Sequence, residues 1–322
     1  MVPESTLKSA LGKTLQKTDL VGHGEKYDGK VRDCYVGKDE ILLVATDRLS
    51  AFDQIVTTLP FKGQVLNRLS AWWFEKTKGV VPNHLLGVPD PNVSRVLRCE
   101  PLPVELVVRA YITGVTSTSI WTAYERGERV FCGNRLPEGL RKNQRLALPI
   151  LTPSTKPPKG QHDRSVSRDE ILAEGRISPK DFDAVAEMAM TLFREGSRIA
   201  AANGILLVDT KYEVGRAPDG RILVMDEIHT PDSSRFWYAA SYEEAFGKGK
   251  DPEGLDKEYV RRWLVRERGY RGDGPPPEVD ADVRVEAARR YIEAFERLTG
   301  TTFEADTREP LGRIEQNLRG QA

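Results

Sequence analysis

The chain has 322 residues, and its 48 lysines and arginines balance its 48 aspartates and glutamates. A protein without net positive charge has no overall field to attract nucleic acid or an anionic membrane, so neither partner is expected. The hydrophobic fraction of 39% and the charged fraction of 30% are typical of a globular protein, and the length allows two lobes.

Cysteine usage and the start of the chain bear on the compartment. Cys34, Cys99 and Cys132 form no close pair and no metal-ligand spacing, which indicates a reducing environment. Residues 1–16 contain no apolar core of signal-peptide length, and no stretch reaches the ~20 apolar residues of a membrane span. We therefore expect a cytoplasmic protein. The sequence leaves self-association open.

The first lobe is predicted to be rich in β-structure. Residues 30–49 read as two strands around a turn at residues 37–39, and residues 63–79 have apolar side chains at helical spacing. Residues 93–112 supply two more strands, separated by Pro101 and Pro103. We expect the first lobe to comprise residues 1–112.

The larger lobe, residues 113–322, is predicted to be α/β. It opens with a short helix at 119–127, and the proline-rich residues 148–163 are predicted to form a surface loop. The longest amphipathic helix is expected over 178–202, with Ser178 as its N-cap. Further helices are expected at 256–268 and 281–298. This order of elements predicts a mixed α/β (α+β) fold of two lobes.

A hairpin between these helices carries the most informative pattern. In residues 205–229 two apolar runs, ILLV and ILVM, each lead into charged residues. The Asp-Gly pair at 219–220 is typical of a tight antiparallel turn. A two-residue loop at this pair predicts that Glu213 lies opposite Asp226.

The charged residues of this hairpin predict a metal site. Asp209, Lys211 and Glu213 share one face because side chains alternate along a strand. Like charges repel when directly opposed, so we expect a cation between Glu213 and Asp226, and carboxylate oxygens suit Mg²⁺. The alternative is a hairpin with a hydrated polar face. A bulge at Gly215 would place the two acids on opposite faces.

Two basic sites elsewhere are candidates for binding anions. Lys30 and Arg32 share one face of a strand beside Gly29 and are candidates for nucleotide phosphates, although neither a P-loop nor a dinucleotide-binding motif occurs. Arg109 ends an apolar strand, where its guanidinium requires a partner. A ligand phosphate or carboxylate and a structural salt bridge fit Arg109 equally.

Two more segments have open interpretations. Residues 230–237, TPDSSRFW, could close on a phosphate through Ser233, Ser234 and Arg235, or could form a capped turn. Lys156 lies in the proline-rich segment, and a solvated lysine is the alternative to a ligand contact. The four histidines show no metal or catalytic spacing.

Six blocks of the chain form an ordered set from residue 29 to residue 237: GKVRDCY, ATDRLSAFD, VELVVRAYITG, LPILTPSTK, LVDTKYEVG and DEIHTPDSSRFW. Taken together and in this order, they resemble the SAICAR synthetase family of purine-pathway ligases. Residues 256–270 resemble the longer members of that family. The resemblance implies a two-lobed fold related to ATP-grasp proteins, with the active site in the cleft between the lobes and the first lobe contributing to the ATP site.

The resemblance also implies the reaction and its participants. L-Aspartate is joined to carboxyaminoimidazole ribonucleotide (CAIR) to give SAICAR while ATP is cleaved to ADP and phosphate, with Mg²⁺ as cofactor. Since an amine cannot displace oxide from a carboxylate, an acyl phosphate is the expected intermediate. Positioning and charge neutralisation are the main requirements of such phosphoryl transfer.

Residue roles follow from the same resemblance, block by block. The implied catalytic residues are Lys211 and Asp209, and the implied metal ligands are Glu213 and Asp226. ATP would be bound by Lys30, Arg32, Lys156 and Asp226, and the substrate by Arg109, Ser119, Asp232, Ser234, Arg235 and Asp53. The role of Asp53 does not follow from the residues themselves, and Ser117 competes with Ser119 for the serine position that many members place after the strand arginine.

Two other functions are weighed against this ligase. A small-molecule or protein kinase would use the same hairpin acids and basic strand, but the chain has neither the catalytic-loop motif nor the D-F-G motif of protein kinases. A non-catalytic nucleotide-binding regulator would bind ATP without turnover. The set of acids, Lys211 and paired arginines favours the ligase.

Overall fold

A computed structural model describes residues 1–116, 119–155 and 164–320 of the chain, and its first half is built on a five-stranded antiparallel sheet. In spatial order the strands are β1 (Glu25–Asp28), β2 (Arg32–Val36), β3 (Glu40–Ala45), β7 (Val93–Leu97) and β6 (Leu85–Asp90). A ribbon of β4 (Arg48–Ala51) and β5 (Gln54–Thr58) follows β3 in the chain. The predicted strands around the 37–39 turn are β2 and β3, which confirms that prediction.

The second sheet is built around β12 (Ile205–Arg216), the first strand of the predicted hairpin. One side of β12 pairs with β8 (Glu100–Tyr111), which in turn pairs with β11 (Arg145–Thr155). The other side pairs with β14 (Ser234–Tyr238) along its first half and β13 (Ile222–Met225) along its second. All of these pairings are antiparallel. A short ribbon of β9 (Val130–Phe131) and β10 (Asn134–Arg135) lies outside this sheet.

Helices cover both sheets, and most of them contribute side chains to one large apolar core. They are α1 (Glu4–Ala10), α2 (Lys62–Thr77), α3 (Ile120–Glu125), α4 (Arg168–Ala173), α5 (Pro179–Ala202), α6 (Ala239–Gly247), α7 (Glu258–Arg268), α8 (Ala281–Thr299) and α9 (Pro310–Arg319). Helix α5 packs on β12 and β8, and α2 packs on α8 and on the first sheet. The elements thus form the mixed α/β arrangement that the sequence predicts.

The longest helix, α5, confirms its predicted start. The Ser178 hydroxyl accepts a hydrogen bond from the backbone N–H of Asp181 at 3.0 Å, and Pro179 occupies the first helical position. A capping oxygen at this position satisfies a helix N–H that has no partner within the helix. Helices α2, α3, α7 and α8 also lie where the sequence predicts helices.

The proline-rich segment differs from its prediction as a surface loop. Residues 148–155 belong to β11, which pairs with β8 from Ile150↔Arg109 to Thr155↔Val104. Strand β11 lies at the edge of its sheet, where a proline removes no hydrogen bond that a further strand would need. The loop prediction is therefore wrong for residues 148–155. Lys156 and residues 157–163 lie outside the described residues.

The two sheets are joined by backbone hydrogen bonds through residues 82–84. Val224 of β13 donates to the Pro82 carbonyl and accepts from the N–H of His84, at 3.1 and 3.2 Å. The carbonyl of His84 in turn accepts from Leu97 of β7 at 2.8 Å. The metal-candidate hairpin is thereby fixed to the edge of the first sheet.

The C-terminal helix α9 packs against the first sheet rather than the second. Arg313 is buried and donates to both carboxylate oxygens of Asp90, at 3.0 and 3.1 Å. Ile314 and Leu318 join an apolar cluster with residues of β2, β3 and β7. The outer face of the first sheet is therefore covered by a helix that comes more than 200 residues later in the chain.

The boundary between lobes at residue 112 stays a prediction. The strands of the first sheet end at Leu97, and β8, which precedes that boundary, pairs within the second sheet. Within the described ranges no helix combines the length and the apolar character that a membrane crossing needs.

Candidate active site

Strand β12 carries the candidate catalytic residues on one face, as predicted. Thr210, Tyr212 and Val214 are buried on the opposite face, at 1%, 0% and 2% exposure. Because side chains alternate, Lys211 and Glu213 point away from that core and remain partly accessible. Helix α5 packs against β12, which explains why Thr210, Tyr212 and Val214, on the face toward the core, carry no charge.

Lys211 is held between two carboxylates. Its ammonium donates to Glu105 at 2.7 Å and to Glu213 at 2.6 Å. Burial acts to lower the pKa of Lys211, but Glu213 and Glu105 outweigh it and raise that pKa, so the side chain stays cationic. Glu105 lies on β8 directly opposite Glu213, a pairing that sequence alone could not reveal without the strand register.

The hairpin register differs from the predicted one by one residue. Glu213 pairs with Met225 because residues 218–220 form a three-residue loop closed by a hydrogen bond from Gly220 N to the Ala217 carbonyl at 2.9 Å. Gly220 has φ +86°, the left-handed conformation that such loops require. The predicted pairing of Glu213 with Asp226 is therefore wrong.

Asp226 leaves the strand instead of continuing it. Its φ is +66°, and its carboxylate forms an ion pair with Arg32 of β2. The other Arg32 guanidinium nitrogen contacts Glu227 at 2.8 Å. Burial acts to lower the pKa of Arg32, but Asp226 and Glu227 raise it well above its ordinary value. A predicted ATP-binding arginine and a predicted metal ligand thus meet where the two sheets approach.

Lys30 and Asp53 form a second contact at the rim of this region. The ammonium of Lys30 lies 2.7 Å from the Asp53 carboxylate, and both side chains are 60% exposed. An exposed pair of this kind contributes little to stability. Because both side chains are exposed, both groups are accessible to a ligand. Asp53 has φ +63°, within a tight turn between β4 and β5.

Asp209 lies between the two predicted substrate-binding arginines. Its Oδ2 accepts from Arg109 at 3.1 Å and also contacts Arg235. Burial lowers the pKa of Arg109, whereas Asp209 and Glu258 outweigh burial and raise that of Arg235. Both arginines keep their charge at neutral pH because their ordinary pKa is near 12.5. Glu258 also lies 3.9 Å from Arg235, so the two guanidiniums face two carboxylates, and any surplus of positive charge comes from the lysines and Arg261 that line the adjoining cavity.

A cavity of about 150 Å³ adjoins these arginines. Its lining joins the middle of β12 to the start of α7 and includes Arg109, Asp209, Lys211, Arg235, Lys257 and Arg261. Ser234 lines the same cavity and donates to the Thr210 hydroxyl at 2.8 Å. The structure thus brings together residues from three separate sequence blocks.

Lys257 and Arg261 were not singled out by the sequence. Lys257 is the residue preceding α7, and its ammonium makes no hydrogen bond or ion pair within the described residues. Burial lowers the pKa of Lys257 to about 8, with Asp232 acting to raise it and Arg261 to lower it. The only sequence signal was a lysine just after the acidic start of a predicted helix, which is common on exposed helix ends.

Asp232 and Ser119 have structural contacts of their own. Asp232 is buried against Lys62, at 2.8 Å, and accepts from the Tyr291 hydroxyl at 2.6 Å. Ser119 is the N-cap of α3 and accepts from Thr122 N at 3.4 Å. A Cβ on Gly114 would lie 2.4 Å from the Ser119 Cβ and 3.6 Å from Arg235, so Ser119 and Arg235 flank the same glycine. Ser117 and Lys156 lie outside the described residues.

Comparison with protein families identifies one model that covers most of the chain. The SAICAR synthetase model matches residues 25–277. A phosphoribosylaminoimidazole-succinocarboxamide synthase of Legionella pneumophila (strain Lens) is 50% identical over 284 residues, 88% of this chain and 90% of that protein. The chloroplastic synthase of Arabidopsis thaliana is 46% identical over 318 residues, 97% of this chain and 77% of that protein.

Comparison with solved structures agrees. A SAICAR synthase from Saccharomyces cerevisiae, in complex with SAICAR, superposes with a TM-score of 0.77 at 33% identity and covers 90% of this chain and 100% of that one. A second SAICAR synthase structure gives a TM-score of 0.76 at 32% identity. These similarities confirm the mixed α/β fold class, whereas the relation to ATP-grasp proteins stays a prediction.

Proposed function

Since this chain belongs to the SAICAR synthetase family, whose reaction joins L-aspartate to CAIR in purine biosynthesis, we propose how its own residues divide that reaction between them. The enzyme is an ATP-using ligase, and the kinase alternative is not favoured. The observation that carries the division of roles is on β12, where Lys211 faces two carboxylates and Asp209 faces two arginines.

The ribotide is assigned to the cavity at Asp209. The CAIR phosphate is a dianion near neutral pH, and guanidiniums bind phosphate oxygens in a bidentate manner. Arg109 and Arg235 are both held by one carboxylate, so their positions are fixed before the ligand arrives. Lys257 adds a cation whose ammonium is attracted to Asp232 but makes no hydrogen bond within the described residues. Asp209 orients both guanidiniums; its catalytic role stays a prediction, as do substrate contacts of Ser119, Ser234 and Asp232.

The nucleotide is assigned to the region between Arg32 and the end of β13. Lys30 and Arg32 offer cations to the phosphates, and Asp53 holds Lys30 at the rim. By this assignment ATP and ribotide meet beside Lys211, which lies on the strand between the two groups of residues.

The donor set at Glu213 and Asp226 fits Mg²⁺. Mg²⁺ is usually bound by one or two carboxylates together with water and substrate phosphates, so a two-carboxylate site is sufficient. Both carboxylates are now paired with cations, Glu213 with Lys211 and Asp226 with Arg32. When bound, Mg²⁺ supplies charge neutralisation to the phosphates of ATP. Within the described residues no cluster of three or more metal-ligating side chains occurs, which argues against an all-protein cage.

The chemistry requires two bond exchanges. A CAIR carboxylate oxygen bonds to the γ-phosphorus of ATP while the bond to ADP breaks, which gives an acyl phosphate. The aspartate amine then attacks the carbonyl carbon, phosphate leaves, and the nitrogen loses a proton. Lys211 is placed to neutralise negative charge on the transferred group, because its ammonium stays protonated between Glu105 and Glu213.

ADP release tests this proposal. The purified protein is given ATP, Mg²⁺, CAIR and aspartate together, and each is then omitted in turn. Release that needs all of them, with SAICAR formed, supports the assignment. Release without aspartate would indicate an uncoupled acyl phosphate or a kinase, and absence of release would reopen a binding-only role.

The three cysteines are free thiols, which supports our proposal of a cytoplasmic location.

A further inference from the structure

The turn that carries Asp226 has an unusual backbone. Residues 226–229 follow β13 directly, and both Asp226 and His229 have positive φ, at +66° and +52°. Neither is glycine; aspartate and histidine enter the left-handed region more often than most residues, but at a cost in free energy that their surroundings must offset. Arg32 holds Asp226 from the side of the first sheet.

His229 is enclosed on several sides by the core. Its exposure is 0%, and its Nε2 lies 2.6 Å from the hydroxyl of Tyr212. The ring of Trp73 meets it edge to face at 4.6 Å between centroids. Gly196 of α5 lies against the ring: a Cβ there would be only 2.4 Å from Cε1 of His229. Burial lowers the pKa of His229 to about 3, so the imidazole is neutral.

Counting donors and acceptors selects one tautomer. The Nδ1 atom of His229 has no hydrogen-bond partner in the described structure. If Tyr212 donates to Nε2, only the Nδ1–H of His229 is left without a partner. If Nε2–H donates instead, both Nδ1 and the phenol hydrogen are left without one. Buried polar groups favour the arrangement with fewer unpaired groups, so Tyr212 donates to Nε2.

This hydrogen bond joins the two backbone segments that carry Glu213 and Asp226. It lies on the face of β12 opposite Glu213. Tyr212 lies between Lys211 and Glu213 on β12, with its side chain on the opposite face of the strand. His229 belongs to the turn that begins at Asp226. We propose that His229 is a positioning residue that fixes the distance between Glu213 and Asp226 by tying their backbone segments together through Tyr212. This inference rests on the proposed binding of Mg²⁺ by these two acids.

Gly196 of α5 leaves the space that the imidazole of His229 occupies. A methyl group at this position must displace the imidazole, because the Cβ would approach three ring atoms within 3 Å. Displacement of the ring breaks the Tyr212 contact without changing either partner. Gly196→Ala therefore offers a second route to the same defect, from a helix that carries no candidate ligand.

The test uses four variants of the full chain and measures both ADP release against Mg²⁺ concentration and the direct binding of Mn²⁺, a paramagnetic substitute for Mg²⁺, by electron paramagnetic resonance. His229→Leu and Tyr212→Phe remove the hydrogen bond, Gly196→Ala displaces the ring, and His229→Gln places an amide group near the position of Nε2. We expect the first three to need about tenfold more Mg²⁺ for half-maximal rate, the scale reported for groups that orient metal ligands. The KM for CAIR should change less than about twofold, and His229→Gln should recover most of the Mg²⁺ affinity.

A packing control separates positioning from stability. Val185→Ala on the same helix α5 removes buried apolar surface away from the turn. It should lower the melting temperature without changing the Mg²⁺ requirement. If His229→Leu and Tyr212→Phe behave like Val185→Ala, the inference is overturned and His229 is only a core residue. A wild-type rate that does not depend on Mg²⁺ would instead refute the metal assignment itself, and with it this inference.

Discussion

Arg32, at the start of β2, forms an ion pair with Asp226, which directly follows β13. The contact joins the first sheet to the acidic turn of the second, and it pairs a predicted phosphate-binding cation with a predicted metal ligand. A bound Mg²⁺·ATP would supply new partners to both: phosphate oxygens to Arg32 and the metal to Asp226. By our proposal, a bound ligand would exchange the partners of this ion pair.

Substitution of Asp226 by Asn should remove most turnover while preserving the fold. The amide keeps the size of the side chain but loses the negative charge that a divalent cation requires. We expect ADP release to fall at least about 100-fold, because loss of groups that only orient metal ligands already costs about 10–100-fold and Asp226 is itself a proposed ligand. Near-normal activity at saturating Mg²⁺ would contradict the metal assignment. Asp219→Asn, on the exposed hairpin loop, is the matched control and should retain activity.

Substitution of Arg235 by Ala should weaken ribotide binding more than ATP binding. The change removes one of two guanidiniums at Asp209 and leaves that carboxylate with Arg109 alone. Loss of one partner from a buried charged contact typically costs about 2–5 kcal/mol, so the KM for CAIR should rise at least about 30-fold. Steady-state kinetics with each substrate varied in turn gives the answer. An increase confined to the KM for ATP would mean that the two phosphate sites have been exchanged in our assignment.

The lowered pKa of Lys257 predicts that ribotide binding depends on pH. Its ammonium has a pKa lowered to about 8, so it is mostly protonated at pH 7 and loses its charge as the pH rises through 8. We expect kcat/KM for CAIR to fall as the pH rises through 8, which gives a descending limb in the pH profile. The reason is that kcat/KM reports the ionisation of groups in the free enzyme. Lys257→Arg should move the limb to higher pH because a guanidinium stays charged. A limb at pH 8 that persists in Lys257→Arg would assign it to another group.

The buried pair of Lys62 and Asp232 predicts a change in stability. Burial acts to raise the pKa of Asp232, but Lys62 and Lys257 outweigh it and lower the pKa to about 2. A lowered acid pKa adds stability above its ordinary value of 3.8, about 2 kcal/mol here, and this stability is lost as the pH falls through 2. We expect Lys62→Met to lower the free energy of unfolding at pH 7 by about 3–5 kcal/mol, because it leaves a buried carboxylate without its cation.

Urea denaturation at pH 7 measures this change. Lys76→Met, at an exposed position of the same helix, should change the free energy of unfolding by less than about 1 kcal/mol. The double variant Lys62→Met/Asp232→Asn should recover part of the loss, since both charges are then absent. Equal stability of Lys62→Met and the wild type would show that the pair is not a stabilising contact.

The sequence predicts the elements of this fold better than their registers. The helical periodicity of residues 178–202 and the capping serine at 178 are local signals, and the structure confirms both. The hairpin loop is not decided locally, because an Asp-Gly pair fits a two-residue loop and also the three-residue loop observed here. Because the observed loop is one residue longer than the predicted one, Met225 rather than Asp226 lies opposite Glu213.

The candidate site shows the same division between local and distant information. Arg109, Arg235 and Asp209 could each be selected by residue type, and the structure brings them together. Glu105 and Lys257 could not be selected, because their significance depends on pairing between β8 and β12 and on the position of α7 beside the cavity. The Lys211–Glu105 contact joins positions 106 residues apart, and neither residue has a local pattern that reveals its partner.

Helix α9 has a consequence for how the chain is made. It covers the outer face of the first sheet through Ile314, Leu318 and the Arg313–Asp90 pair. During synthesis the ribosome completes β6 and β7 long before it reaches α9, so the nascent first sheet exposes an apolar face for tens of seconds at ~5–20 residues per second. Chains that stop before residue 310 would keep that face exposed, and a chaperone that shields apolar surface is expected to bind them.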